Sequence, residues 1–225
     1  MLTTDLQERL SEVRSRIAST GANPSDVTIV AVTKGFGPDA VEAALSAGLH
    51  DIGENYAQEL SAKALAVTPS DTAAAFRWHF LGPIQRNKVK LIAAVVGVWE
   101  AVDRLSAGLA VARHSPGAQT LVQVNTSGEP SKAGCSPVEA PELVDRLQSA
   151  GLDVRGLMTI GPAGPPELGR PGFAALRELA DRLGLPERSM GMTGDLEVAV
   201  SEGATIVRVG TALFGPRPTA GDLRR

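Results

Sequence analysis

Cysteine is all but missing: Cys135 stands alone among 225 residues, so no intrachain disulfide can form and a reducing compartment is the expected home. Histidine occurs three times, scattered far from that cysteine, and no metal site is expected. Lysine is scarce beside arginine, 5 against 17, so each lysine is a selective observation. Long apolar runs are missing too. The longest stretch without a polar side chain, Leu91 to Trp99, falls far short of the about 20 residues that cross a bilayer. The N-terminus mixes Asp5, Glu8 and Arg9 with apolar residues and lacks the order of a signal peptide. A formal charge of -3 gives no electrostatic reason to bind nucleic acid or an anionic membrane. These absences point to a cytoplasmic protein.

What is present begins with Val27 to Gly35, β-branched and small apolar residues halted by Lys34. Apolar character without alternation suits a parallel strand buried on both faces. Lysine is a poor guest there: it either snorkels from the strand end, or serves as a Schiff-base amine whose environment lowers its pKa.

The rest of the chain repeats one unit. Leu6, Leu10, Val13 and Ile17 mark an amphipathic helix over residues 4–20, ending at Gly21. Strands are expected at His50 to Ile52, Phe76 to Leu81, Val95 to Trp99, Thr120 to Val124, Val154 to Ile160, Ser189 to Met192 and Thr205 to Val209, with helices between them. Ser136-Pro137-Val138-Glu139 has the form of a capping box. Gly161 to Gly172, mostly glycine and proline, reads as a loop. Eight strands alternating with helices predict a single (β/α)8 barrel over residues 1–225, an α/β fold with an extra N-terminal helix; an open doubly wound sheet is the alternative.

In such a barrel the strand C-termini share one rim, where sites lie. That rim would gather Lys34, Asn55, His79, Met158, Thr193 and Arg208. Ser189 to Asp195 supplies hydroxyls and glycines before a helix, and Gly210-Thr211 opens a short turn; barrels often bind phosphate between the loops after strands seven and eight. Plain turn chemistry explains either loop alone. An imine-forming lysine facing a phosphate cradle points to a phosphorylated aldehyde, either pyridoxal 5'-phosphate or the substrate of a Schiff-base sugar-phosphate aldolase.

Six segments carry a resemblance: Ala31 to Lys34, Gly53 to Glu59, Trp78 to Lys88, Ser131 to Gly134, Gly156 to Met158 and Arg208 to Gly215. Together, in this order and over Leu10 to Arg217, the chain resembles the pyridoxal phosphate homeostasis proteins, whose fold is the alanine racemase N-terminal barrel. The resemblance implies that Lys34 carries the cofactor as a Schiff base and that Arg208 faces the pyridine nitrogen. It implies further that Ser189, Thr193, Gly210 and Thr211 hold the phosphate, with Asn55, His79 and Met192 also around the cofactor. Lys132 is implied to reach the cofactor or a second molecule of it. Gly161 and Gly194 depart from the family pattern, which puts the local shape of the rim in question.

An arginine at the ring nitrogen donates a hydrogen bond and cannot leave a proton there, which makes the ring a weak electron sink. Racemases of this type also need an acid or base on the face opposite lysine, a tyrosine from another domain; here Tyr56 is the only tyrosine and about ten residues follow Gly215. No catalytic residue is therefore assigned. The expected function is a non-catalytic pyridoxal 5'-phosphate carrier, monomeric, serving apo-enzymes; a racemase-like enzyme is the alternative. Among the remaining residues, Glu54 is expected to cap the helix after Gly53, Arg86, Lys88 and Lys90 to form a solvated helix face, and Cys135 to sit at a helix N-terminus where a thiol pKa can fall.

Overall fold

The computed structural model describes residues 2–67, 76–129 and 132–217, and in it the repeating unit closes on itself. Ser131 and residues 218–225 lie outside the described residues. Eight parallel strands follow chain order around the barrel: β1 (Thr28–Val32), β2 (Asp51–Glu54), β3 (Arg77–Phe80), β4 (Val96–Val102), β5 (Gln119–Gln123), β6 (Asp153–Met158), β7 (Glu187–Ser189) and β8 (Ile206–Val209). β8 pairs with β1, so there is no free edge and the open sheet is excluded. Outside lie α1 (Leu2–Ser19), α2 (Pro38–Ser46), α3 (Ala57–Ala66), α4 (Arg86–Ile92), α5 (Leu105–His114), α6 (Ala140–Ser149), α7 (Arg170–Arg182), α8 (Leu196–Ser201) and α9 (Thr211–Phe214).

The strands have two buried faces, as their continuous apolar character requires. Ile29 and Ala31 of β1 face the helices, within a cluster that takes in Leu6, Leu10, Val13 and Ile17 of α1. Val30 and Val32 face inward and pack with Leu81, Val98, Leu121, Met158 and Ile206. Each such side chain contributes about 1.5–3 kcal/mol on burial. Truncating the wholly buried Trp99 to alanine would cost about 3–5 kcal/mol.

The boundaries differ most from expectation in three places. β4 runs to Val102, past the expected end at Trp99. Glu100 is tolerated because its inward-facing carboxylate is fully paired inside the barrel. β7 is Glu187–Ser189 rather than Ser189 to Met192, because the chain turns at Gly191, where φ is +93° and an added Cβ would lie 2.5 Å from that of Ala199. The proline-rich loop contains a 3-10 turn at Pro166–Gly169, and α7 already begins at Arg170; Pro166 and Pro171 both stand in first-turn positions, where no N–H is needed. The capping box forms: the Glu139 carboxylate accepts from the Ser136 amide and hydroxyl, and the Ser136 hydroxyl accepts from the Glu139 amide. No helix among the described residues is long and apolar enough to cross a membrane, and among them no group of three or more His, Cys, Asp and Glu could hold a metal.

Candidate cofactor site

Lys34 sits in the turn just beyond β1, half-buried. Its pKa lies below the ordinary lysine value. Burial is the main cause, the charges of Arg217 and Arg208 act the same way, and Glu54 opposes them. No carboxylate among the described residues forms an ion pair with it. A lysine that is partly desolvated and flanked by cations carries more neutral amine at neutral pH, the form that attacks a carbonyl. Sequence reasoning missed Arg217, whose side chain passes beside Gly35; an isolated basic residue near a terminus gave no signal.

Behind Lys34 lies a buried ion pair. Lys63 of α3, only 4% exposed, sets its ammonium 2.5 Å from Glu54 Oε2 and 2.7 Å from the Thr33 carbonyl. The other oxygen of Glu54 accepts from the amides of Asn55 and Tyr56, just before α3, so Glu54 fixes the turn into the helix rather than capping its first turn, and it pairs with Lys63 as well. Burial is the largest influence on Glu54 and holds its carboxyl above the usual range against the pull of Lys63. Asn55 is positioned by this turn and by Gly82, since a Cβ there would lie 1.9 Å from the Asn55 carbonyl oxygen. The Asn55 side-chain oxygen is buried with no hydrogen-bond partner. Asn55 lines a cavity of about 270 Å³ at the barrel mouth together with Leu81, Gln123, Asn125, Lys132 and Thr159.

Under the mouth a second polar cluster crosses the barrel. His79 faces inward with Nδ1 2.5 Å from Glu100 and Nε2 2.9 Å from Asp51. Burial alone would lower its pKa, but the two carboxylates outweigh it and raise it to about 9, so both nitrogens donate. Glu100 is pushed up by burial yet held below the usual carboxylate range by His79, Arg208 and Ser189. Its second oxygen accepts from the Ser189 hydroxyl at 2.5 Å; that hydroxyl in turn accepts from Arg208 at 2.7 Å, and Arg208 also donates to the Thr159 carbonyl at 2.8 Å.

This network engages two of the residues expected around the cofactor. Ser189 was expected among the phosphate ligands, but its oxygen both donates and accepts inside the barrel and is 0% exposed, so it orients Arg208. His79 points inward, with both ring nitrogens engaged by carboxylates. Glu100, the centre of the network, was not singled out in the sequence; it follows Trp99, where the strand was expected to end.

At the rim the loops after β7 and β8 meet. The Ala212 amide donates to the Thr193 hydroxyl at 3.2 Å, which leaves that O–H free to donate outward, and Arg208 donates its amide to the Gly191 carbonyl. Gly210 and Thr211 stand at the start of α9, where the first N–H groups lack helical partners. The Met192 side chain is exposed at this rim, but its amide is taken by the Asp195 carboxylate at 2.6 Å. A Cβ at Gly161 would lie 2.7 Å from the other Asp195 oxygen, whereas one at Gly194 would meet nothing within 4 Å. Lys132 donates to the Gly161 carbonyl and pairs with Glu129. Cys135 lies elsewhere, and burial pushes its thiol up to about 11, opposite to the lowering considered from its position.

Residues 5–218 match the family described as alanine racemase, N-terminal domain. The chain is 42% identical over 226 residues to the pyridoxal phosphate homeostasis protein of Pseudomonas aeruginosa, covering 94% of this chain and 96% of that one. It is 35% identical to that of Escherichia coli K12, with 95% and 97% covered. Among solved structures, PipY of Synechococcus elongatus with pyridoxal phosphate bound superposes with a TM-score of 0.80 at 32% identity, over 93% of this chain and all of that one. Alanine racemase of Corynebacterium glutamicum shares the fold at a TM-score of 0.69 and 14% identity, over 97% of this chain and 63% of that one. By these matches the chain belongs to the alanine racemase N-terminal domain family and, within it, to the pyridoxal phosphate homeostasis proteins.

Proposed function

We propose that this protein binds pyridoxal 5'-phosphate through a Schiff base on Lys34 and holds it for intracellular cofactor homeostasis, without turnover of its own. The observation that carries the reading is Lys34 itself, half-buried, free of a carboxylate partner and depressed in pKa. The surrounding polar groups fit the cofactor: an orphaned Asn55 oxygen that can accept, a Thr193 hydroxyl with its proton to give, and the start of α9 beside it. When bound, the cofactor supplies an aldehyde with which the amine condenses, releasing water.

The chain's own residues then divide the work. Thr193, Gly210 and Thr211 receive the phosphate, and Asn55 accepts a hydrogen bond near the ring. Arg208, held by Ser189 and the Thr159 carbonyl, donates to the pyridine nitrogen. Because arginine does not give up its proton, the ring nitrogen stays unprotonated. Two side chains among the described residues are candidates for a proton relay on the face opposite lysine. Tyr56 is 53% exposed, and His79 has both nitrogens engaged. Holding and release to apo-enzymes that need the cofactor is the reading these groups favour.

Borohydride reduction of the protein equilibrated with pyridoxal 5'-phosphate, followed by peptide mass mapping, is expected to label Lys34 alone. Lys34→Ala should lose the label with an unchanged far-UV spectrum. Label spread over all five lysines would overturn the assignment, and racemisation of alanine at about 1 per second or more by the pure protein would overturn the carrier reading.

A further inference from the structure

The mechanism proposed so far makes no use of Lys63, the most deeply buried of the chain's described lysines. Its environment ties it to Lys34 through the backbone. The Lys63 ammonium holds the Thr33 carbonyl at 2.7 Å, which belongs to the peptide group on one side of Lys34. Glu59, one turn earlier on α3, accepts from the Gly35 amide at 2.9 Å, the peptide group on the other side. Glu59 also stands 3.6 Å from the Lys63 ammonium. Both peptide groups of the reactive lysine are thus gripped by two residues of one helix, four positions apart on one face. Glu54 completes the arrangement: it neutralises Lys63 and, with its other oxygen, fixes the Asn55 amide.

We propose that Lys63 and Glu59 are positioning residues: they clamp the backbone on either side of Lys34, and through Glu54 they hold Asn55 in register with it. The clamp rests on the reading of Lys34 as the imine-forming residue. A buried ammonium is costly unless it is paired, and replacing such a pair by apolar residues of similar size is often neutral or stabilising for a fold. Its retention next to the reactive turn is accounted for by the geometry it imposes there. With Lys34 held, its side chain leaves the turn in the partly desolvated position where burial, Arg217 and Arg208 lower its pKa. With the turn released, the amine reaches water and its pKa returns toward that of an ordinary lysine.

Where a carboxylate alone is removed, as in Glu59→Ala, the position-based and charge-based readings predict opposite signs. Glu54 raises the Lys34 pKa by Coulomb attraction, so neutralising Glu54 without any change of position would lower that pKa further. Loss of the clamp would raise it. The experiment measures the pH dependence of Lys34 acetylation by acetic anhydride, read by peptide mass mapping on protein free of cofactor. The variants are Glu59→Ala, a partly exposed site where folding is undisturbed, and Lys63→Met combined with Glu54→Gln, which leaves no buried charge unpaired. In both, the acetylation midpoint of Lys34 is expected to move up by about half a pH unit or more, and the pyridoxal 5'-phosphate dissociation constant to rise about tenfold in the double variant, which is 1.4 kcal/mol. A midpoint that stays in place in Glu59→Ala, or that falls in the double variant, would overturn the clamp. Failure of unmodified protein to form any adduct at Lys34 would instead overturn the cofactor reading, and the acetylation midpoints, which need no cofactor, would still decide the clamp.

Discussion

Two clusters of buried charge serve one site, and they are built in opposite ways. The inner cluster runs Asp51, His79, Glu100, Ser189 and Arg208 across the barrel interior, drawing on β2, β3, β4, β7 and β8, and its Glu100 to Ser189 bond spans 89 residues of chain. The outer cluster of Glu54, Glu59 and Lys63 lies between the barrel wall and α3, within ten residues of sequence. Only the inner one needs the barrel closed before its charges can meet. Its loss should therefore be felt by the whole fold, whereas loss of the outer one should be felt mainly by the turn that carries Lys34.

The sharpest way to break that comparison is to remove one charge from each and compare stabilities in urea. Glu100→Gln leaves His79 and Arg208 in the barrel with their common counter-charge gone, and breaking a buried pair in this way costs about 3–5 kcal/mol. Lys63→Met leaves Glu54, but burial already holds that carboxyl above the usual range, so it can take up a proton and stay neutral. About 2 kcal/mol is expected there, at the lower side of the range for a buried polar group that loses its partner. Equal losses in the two variants would mean that the inner network carries no more of the fold than the outer.

How much of this was legible in the sequence follows the same division. The barrel was legible, because period and punctuation are local: α1 through Leu6, Leu10, Val13 and Ile17, and the cap at Ser136 and Glu139. Lys34 stood out because a lysine ending an apolar strand is anomalous on its face, and Glu54 was tied to the start of the helix that follows it. The inner network was not legible as a network. Its members stand at positions 51, 79, 100, 189 and 208, and nothing in their spacing says that they point to one axis. Period two along β4 would have put Glu100 on the same inward face as Val98, had the strand been carried past Trp99. A charge inside a strand is costly when unpaired and tolerated when paired, and its partners here come from elsewhere in the chain. For the same reason Ser189 was counted with the rim, although the chain turns outward only after it.

Acidity and alkalinity should separate the two clusters as well. His79 has a folded pKa raised from 6.5 to about 9, so its contribution is fully present below about 6.5 and is lost as pH rises through 9. That shift corresponds to about 3 kcal/mol. Glu100, held below the usual carboxylate range, contributes stability that is present above about pH 4.5 and lost as pH falls through its lower folded value. The urea midpoint should therefore fall between pH 7 and pH 9.5, and His79→Gln should flatten that alkaline fall. The Lys63→Met and Glu54→Gln double variant should keep it, since neither residue belongs to the inner network. An alkaline fall that disappears in the double variant would mean that the two clusters titrate as one.

The smallest expected effect locates where the inner cluster ends. Asp51, the first residue of β2, accepts from His79 on its barrel side and from Arg77 on its solvent side, with the Arg77 guanidinium 2.8 Å away. The distances are alike, but the surroundings are not: the His79 side chain is 2% exposed and that of Arg77 is 52% exposed. Water screens the second pair, and holding a long side chain in one geometry costs entropy, so such a pair is worth about 0–1 kcal/mol. Arg77→Ala is expected to change the urea midpoint by no more than about 0.5 kcal/mol equivalent and to leave the alkaline fall in place, because His79 keeps both carboxylates. A loss approaching that of Glu100→Gln would mean that the barrel floor depends on Arg77 to hold Asp51. The inner network would then extend to the protein surface, and burial would no longer be what distinguishes it from the outer one.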